Sequence, residues 1–147
     1  MSVGETNEDD EGAWVNAQPQ VDSDPRVQIL LATHNGEQFL QDQLDSLLAQ
    51  SYLNWEICAH DDASSDNTRS ILDRFRRANP GRLSISTMVQ KPWGAVRAFS
   101  ALLEQASADY VMFCDQDDVW NPEKIAKLMQ RMREVEAEHP GVPVIVH

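Results

Sequence analysis

Long apolar runs are missing from this chain: nowhere do the roughly 18 apolar residues needed for a membrane span stand together. Cysteine is scarce too. The two present, Cys58 and Cys114, fall inside predicted strands without CxxC spacing, which fits a reducing cytoplasm and argues against a disulfide framework. Basic charge is equally short, with 12 Lys and Arg against 24 Asp and Glu and a formal net charge of −12. Phosphate backbones are held by clustered Lys and Arg, so nucleic acid is not an expected partner. Two phosphate-binding signatures are also absent. There is no Gly-x₄-Gly-Lys and no GxGxxG after the first predicted strand, which removes support for P-loop kinases and dinucleotide-dependent dehydrogenases. The first residues carry no basic start and no apolar stretch, unlike a signal peptide. These absences describe a soluble, cytoplasmic protein without a membrane span, and they leave peripheral attachment to a membrane open.

What is present divides in two. Residues 1–26 hold seven acids, one Arg and few apolar side chains, with Pro19 and Pro25 near the end, and read as a disordered acidic tail. Residues 27–147 read as one domain in which strand and helix alternate. Val27 to Ala32 is a continuous apolar run, as in a strand covered on both faces. Leu40, Leu44, Leu47 and Leu48 then recur at helical spacing, predicting a helix from about Glu37 to Gln50. Asn54 to Ala59 predicts a second strand. The helix after it is capped from Ser64-Ser65-Asp66 and stopped by Asn79-Pro80-Gly81. Leu83, Ile85, Thr87 and Val89 alternate as a third strand, and Val96, Phe99, Leu102, Leu103 and Ala106 mark a third helix. Tyr110 to Cys114 reads as a buried fourth strand. Asn121 is placed as the N-cap of a last helix with Pro122 at its first position, and Val142 to Val146 predicts a fifth strand. The alternation implies an α/β fold with a mostly parallel, doubly wound, Rossmann-like sheet.

In such sheets ligands bind beyond the carboxyl ends of the strands, and three polar clusters fall there. Thr33-His34-Asn35-Gly36 follows the first strand, Asp61-Asp62 the second, and Asp115-Gln116-Asp117-Asp118 the fourth. Clustered acids at a strand end repel one another, and a hard cation such as Mg²⁺ or Mn²⁺ relieves that repulsion. Asp115 and Asp117, two apart on an extended segment, point the same way and can face one ion. Of Asp61 and Asp62, one suits local capping and the other is placed to accept hydrogen bonds from a ligand. His34 suits a metal ligand, a base or a stacking ring. Gly94 would let the backbone approach a ligand closely, and Arg97 beside a metal would complement a diphosphate.

The segments Ile29–Gly36, Asp61–Thr68 and Tyr110–Pro122 resemble, in order and spacing, those of a family-2 glycosyltransferase of the GT-A fold, nearest its rhamnosyltransferase-like branch. The resemblance covers residues 27 to about 147 and makes Asp115-Gln116-Asp117 the family's D-x-D element. It implies a metal-dependent, inverting glycosyltransferase acting in cell-surface polysaccharide synthesis. The donor would be a nucleotide-diphospho-sugar such as dTDP-rhamnose, and the acceptor a glycan or a lipid-linked sugar. By the same resemblance Thr33 and Asn35 border the nucleobase and ribose, and Asp62 hydrogen-bonds the base. Asp115 orients the sugar or ribose, and Asp117 ligates Mn²⁺ or Mg²⁺. The family's Tyr is replaced here by His34, and the Asn of many relatives by Ala98. No acid from 118 to 147 makes a convincing catalytic base, so the chain is expected to be the donor-binding half of such an enzyme, with the base beyond His147. Two rivals share these residues: a non-catalytic nucleotide-sugar-binding module and a haloacid-dehalogenase-type phosphatase using the acids after Cys114.

Overall fold

The computed structural model describes residues 24–86 and 91–146. Four strands and four helices alternate: β1 (Val27–Thr33), α1 (Leu40–Leu48), β2 (Trp55–Asp61), α2 (Thr68–Ala78), β3 (Leu83–Ile85), α3 (Ala95–Gln105), β4 (Tyr110–Asp115) and α4 (Lys124–Glu138). The sheet is parallel throughout, in the order β3-β2-β1-β4. The chain steps outward from β1 to β3, then returns across α3 to lay β4 on the other side of β1. That reversal is a topological switch point, where a crevice opens between the ends of β1 and β4.

Side-chain alternation on β1 divides the core. Val27, Ile29 and Leu31 face α1, α2 and α4 in one large cluster. Leu30 faces the other way, onto Cys58 and Leu102 beneath α3. Leu40, Leu44 and Leu47 of α1 are fully buried, each contributing roughly 1.5–3 kcal/mol. One helix covers less than three do. On the α3 face Phe113 remains 55% exposed, edge-on to Phe99. The two free thiols lie on opposite faces, with Cys58 in the α3 cluster and Cys114 in the larger one. Their strands are separated by β1, roughly 9–10 Å apart, which is beyond disulfide reach.

Several expected boundaries are corrected. Tyr110 to Cys114 is an edge strand rather than a buried one, with only Cys114 buried, because β1 is its sole neighbour among the described residues. Residues 142–146 form no strand: Gly141 turns the chain at φ 77° and Pro143 has no N–H to donate. Val144, Ile145 and Val146 instead line an apolar groove of about 390 Å³ against β4 and α4. The last helix begins at Lys124, not Pro122. Asn121 caps a preceding turn, its Oδ1 accepting from Glu123 N–H at 3.0 Å. The buried Gln50 then takes over, donating to Asn121 O at 2.8 Å and accepting from Ile125 N–H at 3.1 Å. The first helix starts three residues late because Gly36 to Phe39 form the turn that precedes it. Thr87 and Val89 lie outside the described residues.

Candidate functional site

The register of the sheet assembles the site. Thr33 pairs with Asp61 on β2, and Ala32 pairs with Asp115 on β4, so all three polar clusters leave the sheet at one level. They border a single cleft of about 160 Å³, lined by Thr33, His34, Asp62, Asp115, Gln116 and Asp117, with Ala95 and Ala98 of α3 as its apolar wall.

The wall made by β1 and β2 satisfies itself. Thr33 Oγ1 donates to Asp61 Oδ1 at 3.1 Å, and Arg69 Nε donates to Asp61 Oδ2 at 2.6 Å. Ser64 also donates to Asp61, from its N–H and its hydroxyl. Asp61 is thus the capping member of the pair. Asp62 is buried as well, its Oδ1 accepting from Trp93 N–H at 2.6 Å and its Oδ2 from Gly94 N–H at 2.8 Å. Burial pushes its pKa up, but these two N–H donors, with His60 and His34 nearby, outweigh burial and hold the carboxyl below its ordinary value. Asp62 therefore ties the start of α3 to the end of β2, while it lines the cleft and each oxygen retains a second lone pair.

The loop after β1 is stitched to the loop after β2. His34 Nδ1–H donates to the Asp62 carbonyl at 2.6 Å, which fixes the tautomer and lets Nε2 accept from Asn35 Nδ2 at 3.2 Å. Asn35, in the left-handed region at φ 48°, accepts from Ser65 N–H at 2.8 Å through its side-chain oxygen. Gly36 N–H donates to Thr68 Oγ1, and Glu37 N–H to Asp66 Oδ2. Beneath this loop lies His60, fully buried, accepting or donating at Nδ1 to Ser86 and stacked on Trp93 at 4.9 Å.

The β4 wall is different. Asp115, Asp117 and Asp118 are exposed, and among the described residues neither Asp115 nor Asp117 has a side-chain hydrogen bond or ion pair. Repulsion in a dry pocket is therefore not what marks these acids; their lack of any protein partner is. Two free carboxylates fit a hard divalent ion that takes one or two protein oxygens and completes its shell with phosphate and water. No cluster of three or more acid, His or Cys ligands is found among the described residues.

Three predicted residues stay out of the cleft lining. Asn35 turns to Ser65, Gly94 adopts φ 84° with open space around it, and the Arg97 guanidinium lies 4.4 Å over the Trp93 ring. The positive φ at Gly94 gives glycine a conformational reason at this position, where its N–H also donates to Asp62. Sequence reasoning passed over Gln116, Gln50 and His60. Only Gln116 carried a signal, its place between two candidate ligands.

A family model described as glycosyl transferase family 2 matches residues 28–146. The chain is 37% identical over 98 residues to the dTDP-rhamnosyl transferase RfbG of Shigella flexneri, covering 65% of this chain and 34% of that protein. It is 33% identical over 106 residues to the Escherichia coli UDP-Glc:alpha-D-GlcNAc-diphosphoundecaprenol beta-1,3-glucosyltransferase WfgD, covering 72% of this chain and 40% of that one. The chain thus spans less than half the length of these relatives. Among solved structures, the mannosyltransferase PcManGT of Pyrobaculum calidifontis, in complex with GDP-Man and Mn²⁺, superposes with a TM-score of 0.67 at 25% identity, covering 72% of this chain and 32% of that one. The Staphylococcus aureus TarS fragment 1–349 with UDP-GlcNAc, at 24% identity and a TM-score of 0.64, shares the fold over 82% of this chain and 37% of its own.

Proposed function

Because the chain belongs to glycosyl transferase family 2, we propose that its switch-point cleft binds the nucleoside diphosphate of a nucleotide-sugar donor. The observation that carries this is the pair of carboxylates in the cleft lining, Asp115 and Asp117, that have no side-chain partner among the described residues. Asp117 would ligate Mn²⁺ or Mg²⁺, and Asp115 would orient the sugar or ribose. A bound cation would neutralise charge building on the departing diphosphate. Thr33 and the Asn35 turn would border the base and ribose, and Asp62 would accept from the base through its remaining lone pairs. The rigidity of that wall supports its role, since a preformed site loses less freedom on binding.

The reaction would be inverting transfer of a hexosyl group to a glycan or lipid-linked acceptor in surface-polysaccharide synthesis. We favour dTDP-rhamnose as donor, on the 37% identity to a dTDP-rhamnosyl transferase. The two buried free thiols agree with a cytoplasmic setting. We assign the general base to none of Glu123, Glu134 and Glu136. Glu123 pairs with Lys127, Glu134 with Arg131, and Glu136 accepts from the Tyr110 hydroxyl. A module that binds the donor without transfer is the second reading, favoured by the same pairings; the phosphatase alternative has no support in the family match.

Calorimetric titration with UDP, GDP and dTDP, each with and without Mn²⁺, tests the assignment. Binding that needs Mn²⁺ and disappears in Asp117→Asn is the expected outcome. A folded chain that binds none of the three would refute the donor site.

A further inference from the structure

We propose that Gln116 is a positioning residue: its carboxamide holds the β4 loop against the β1 loop and thereby places Asp115 and Asp117 for a metal–nucleoside diphosphate. This role rests on the cleft being the donor site.

The main-chain ladder between β1 and β4 ends at Ala32 and Asp115, whereas β1 still pairs with β2 one residue further on, at Thr33 and Asp61. The next contact across the switch point comes from a side chain. Gln116 Oε1 accepts from His34 N–H at 2.8 Å, and Gln116 Nε2 donates to His34 O at 3.0 Å. A primary amide presents the same donor and acceptor as a peptide group, so Gln116 supplies the rung that the backbone of β4 no longer makes.

The site is shaped around that amide. A Cβ on Gly36 would lie 2.3 Å from Gln116 Oε1 and 2.6 Å from its carbonyl carbon, so a side chain there would have to displace the amide from the clamp. Gly36 does not have a positive φ, so the amide rather than backbone strain is what a substitution there would meet. The two flanking carboxylates have no side-chain partner of their own among the described residues. Their placement follows from the backbone that carries them, and Gln116 is what anchors that backbone to β1. Because Gln116 is only half-buried, its loss opens no core cavity, and the consequence falls on the cleft instead.

Calorimetry with Mn²⁺ and UDP, GDP or dTDP, Mn²⁺ binding followed by electron paramagnetic resonance, and thermal melts together separate positioning from stapling. Gln116→Ala, and Gln116→Met as a space-filling alternative, should keep a near-native melt. Both should weaken Mn²⁺-dependent binding about tenfold or more, as loss of groups that orient metal ligands does. Gly36→Ala should displace the amide, lowering both melting temperature and affinity. Adding Gln116→Ala to it should restore the melting temperature while affinity stays at the Gln116→Ala level, the non-additivity of one shared interaction. Affinity that simply follows melting temperature across the variants, or Gln116→Met binding like wild type, would overturn the positioning role. Wild-type protein that is folded yet binds none of the three probes would instead remove the donor site, and this role with it.

Discussion

The two walls of the cleft are built from the same residue type to opposite ends. On the β1–β2 wall, Asp61 and Asp62 are buried and every carboxylate oxygen accepts a hydrogen bond from the chain. On the β4 wall, Asp115 and Asp117 are exposed and unpartnered among the described residues. A carboxylate engaged by two N–H groups is fixed in place and has only its remaining lone pairs to offer a ligand; one without a protein partner in a cleft can give all of its lone pairs to a cation. Acid content alone cannot separate the two, but partner geometry can.

The sharpest way to break this comparison is to neutralise one acid on each wall. Asp117→Asn should lower Mn²⁺-dependent nucleoside diphosphate affinity by about 100-fold or more. Its effect on unfolding free energy should stay within about 0.5 kcal/mol, as for other exposed substitutions. Asp62→Ala should do the reverse first, destabilising by about 2–3 kcal/mol as the Trp93 and Gly94 N–H groups lose a charged acceptor. Denaturant melts alongside calorimetry check both. Equal stability losses in the two variants would show that the walls do not differ as their geometry says.

Much of this was legible in the chain because residues close together in sequence decided each feature. The continuous run Val27–Ala32 marked a strand covered on both faces, and Leu40, Leu44 and Leu47 marked the helix that covers one of them. The strand-end polar clusters did converge on one cleft. What stayed hidden depended on partners far along the chain. Whether Tyr110–Cys114 lies at the centre or the edge of a sheet is set by what stands beside it, not by its own apolar letters. Gln50 claims Ile125 from 75 residues away, so the start of α4 could not be placed from Asn121 and Pro122. The tasks of Asp61 and Asp62 likewise became distinguishable only once Arg69 on one side, and Trp93 and Gly94 on the other, were in position.

Acid sharpens the contrast with a smaller effect. Asp62 and Asp66 are both held below the ordinary carboxylate value of 3.8: burial raises each, and backbone N–H donors, joined at Asp66 by the Thr68 hydroxyl, outweigh it. A lowered folded-state pKa means a contribution fully present above the unfolded value and lost as pH falls through the folded one. Stability should therefore decline as pH falls below about 4, and Asp62→Asn should flatten that slope. Urea unfolding across that range gives both slopes directly.

The smallest expected effect concerns Arg97, the cation nearest the start of α3. Its guanidinium lies over Trp93, whose ring also stacks on His60, so it forms the outer layer of a stack that backs the Asp62 wall. A cation–π contact at an exposed site contributes about 0.5–1 kcal/mol. Arg97→Ala should cost about that in stability and change Mn²⁺-dependent UDP affinity less than about fivefold, since 1.4 kcal/mol is needed for a factor of ten. A loss of tenfold or more, growing as salt is lowered, would mean that Arg97 leaves the indole and meets the diphosphate. The start of α3 would then supply a ligand contact of its own, and the division between side chains engaged by the chain and side chains left for the ligand would fail at this residue.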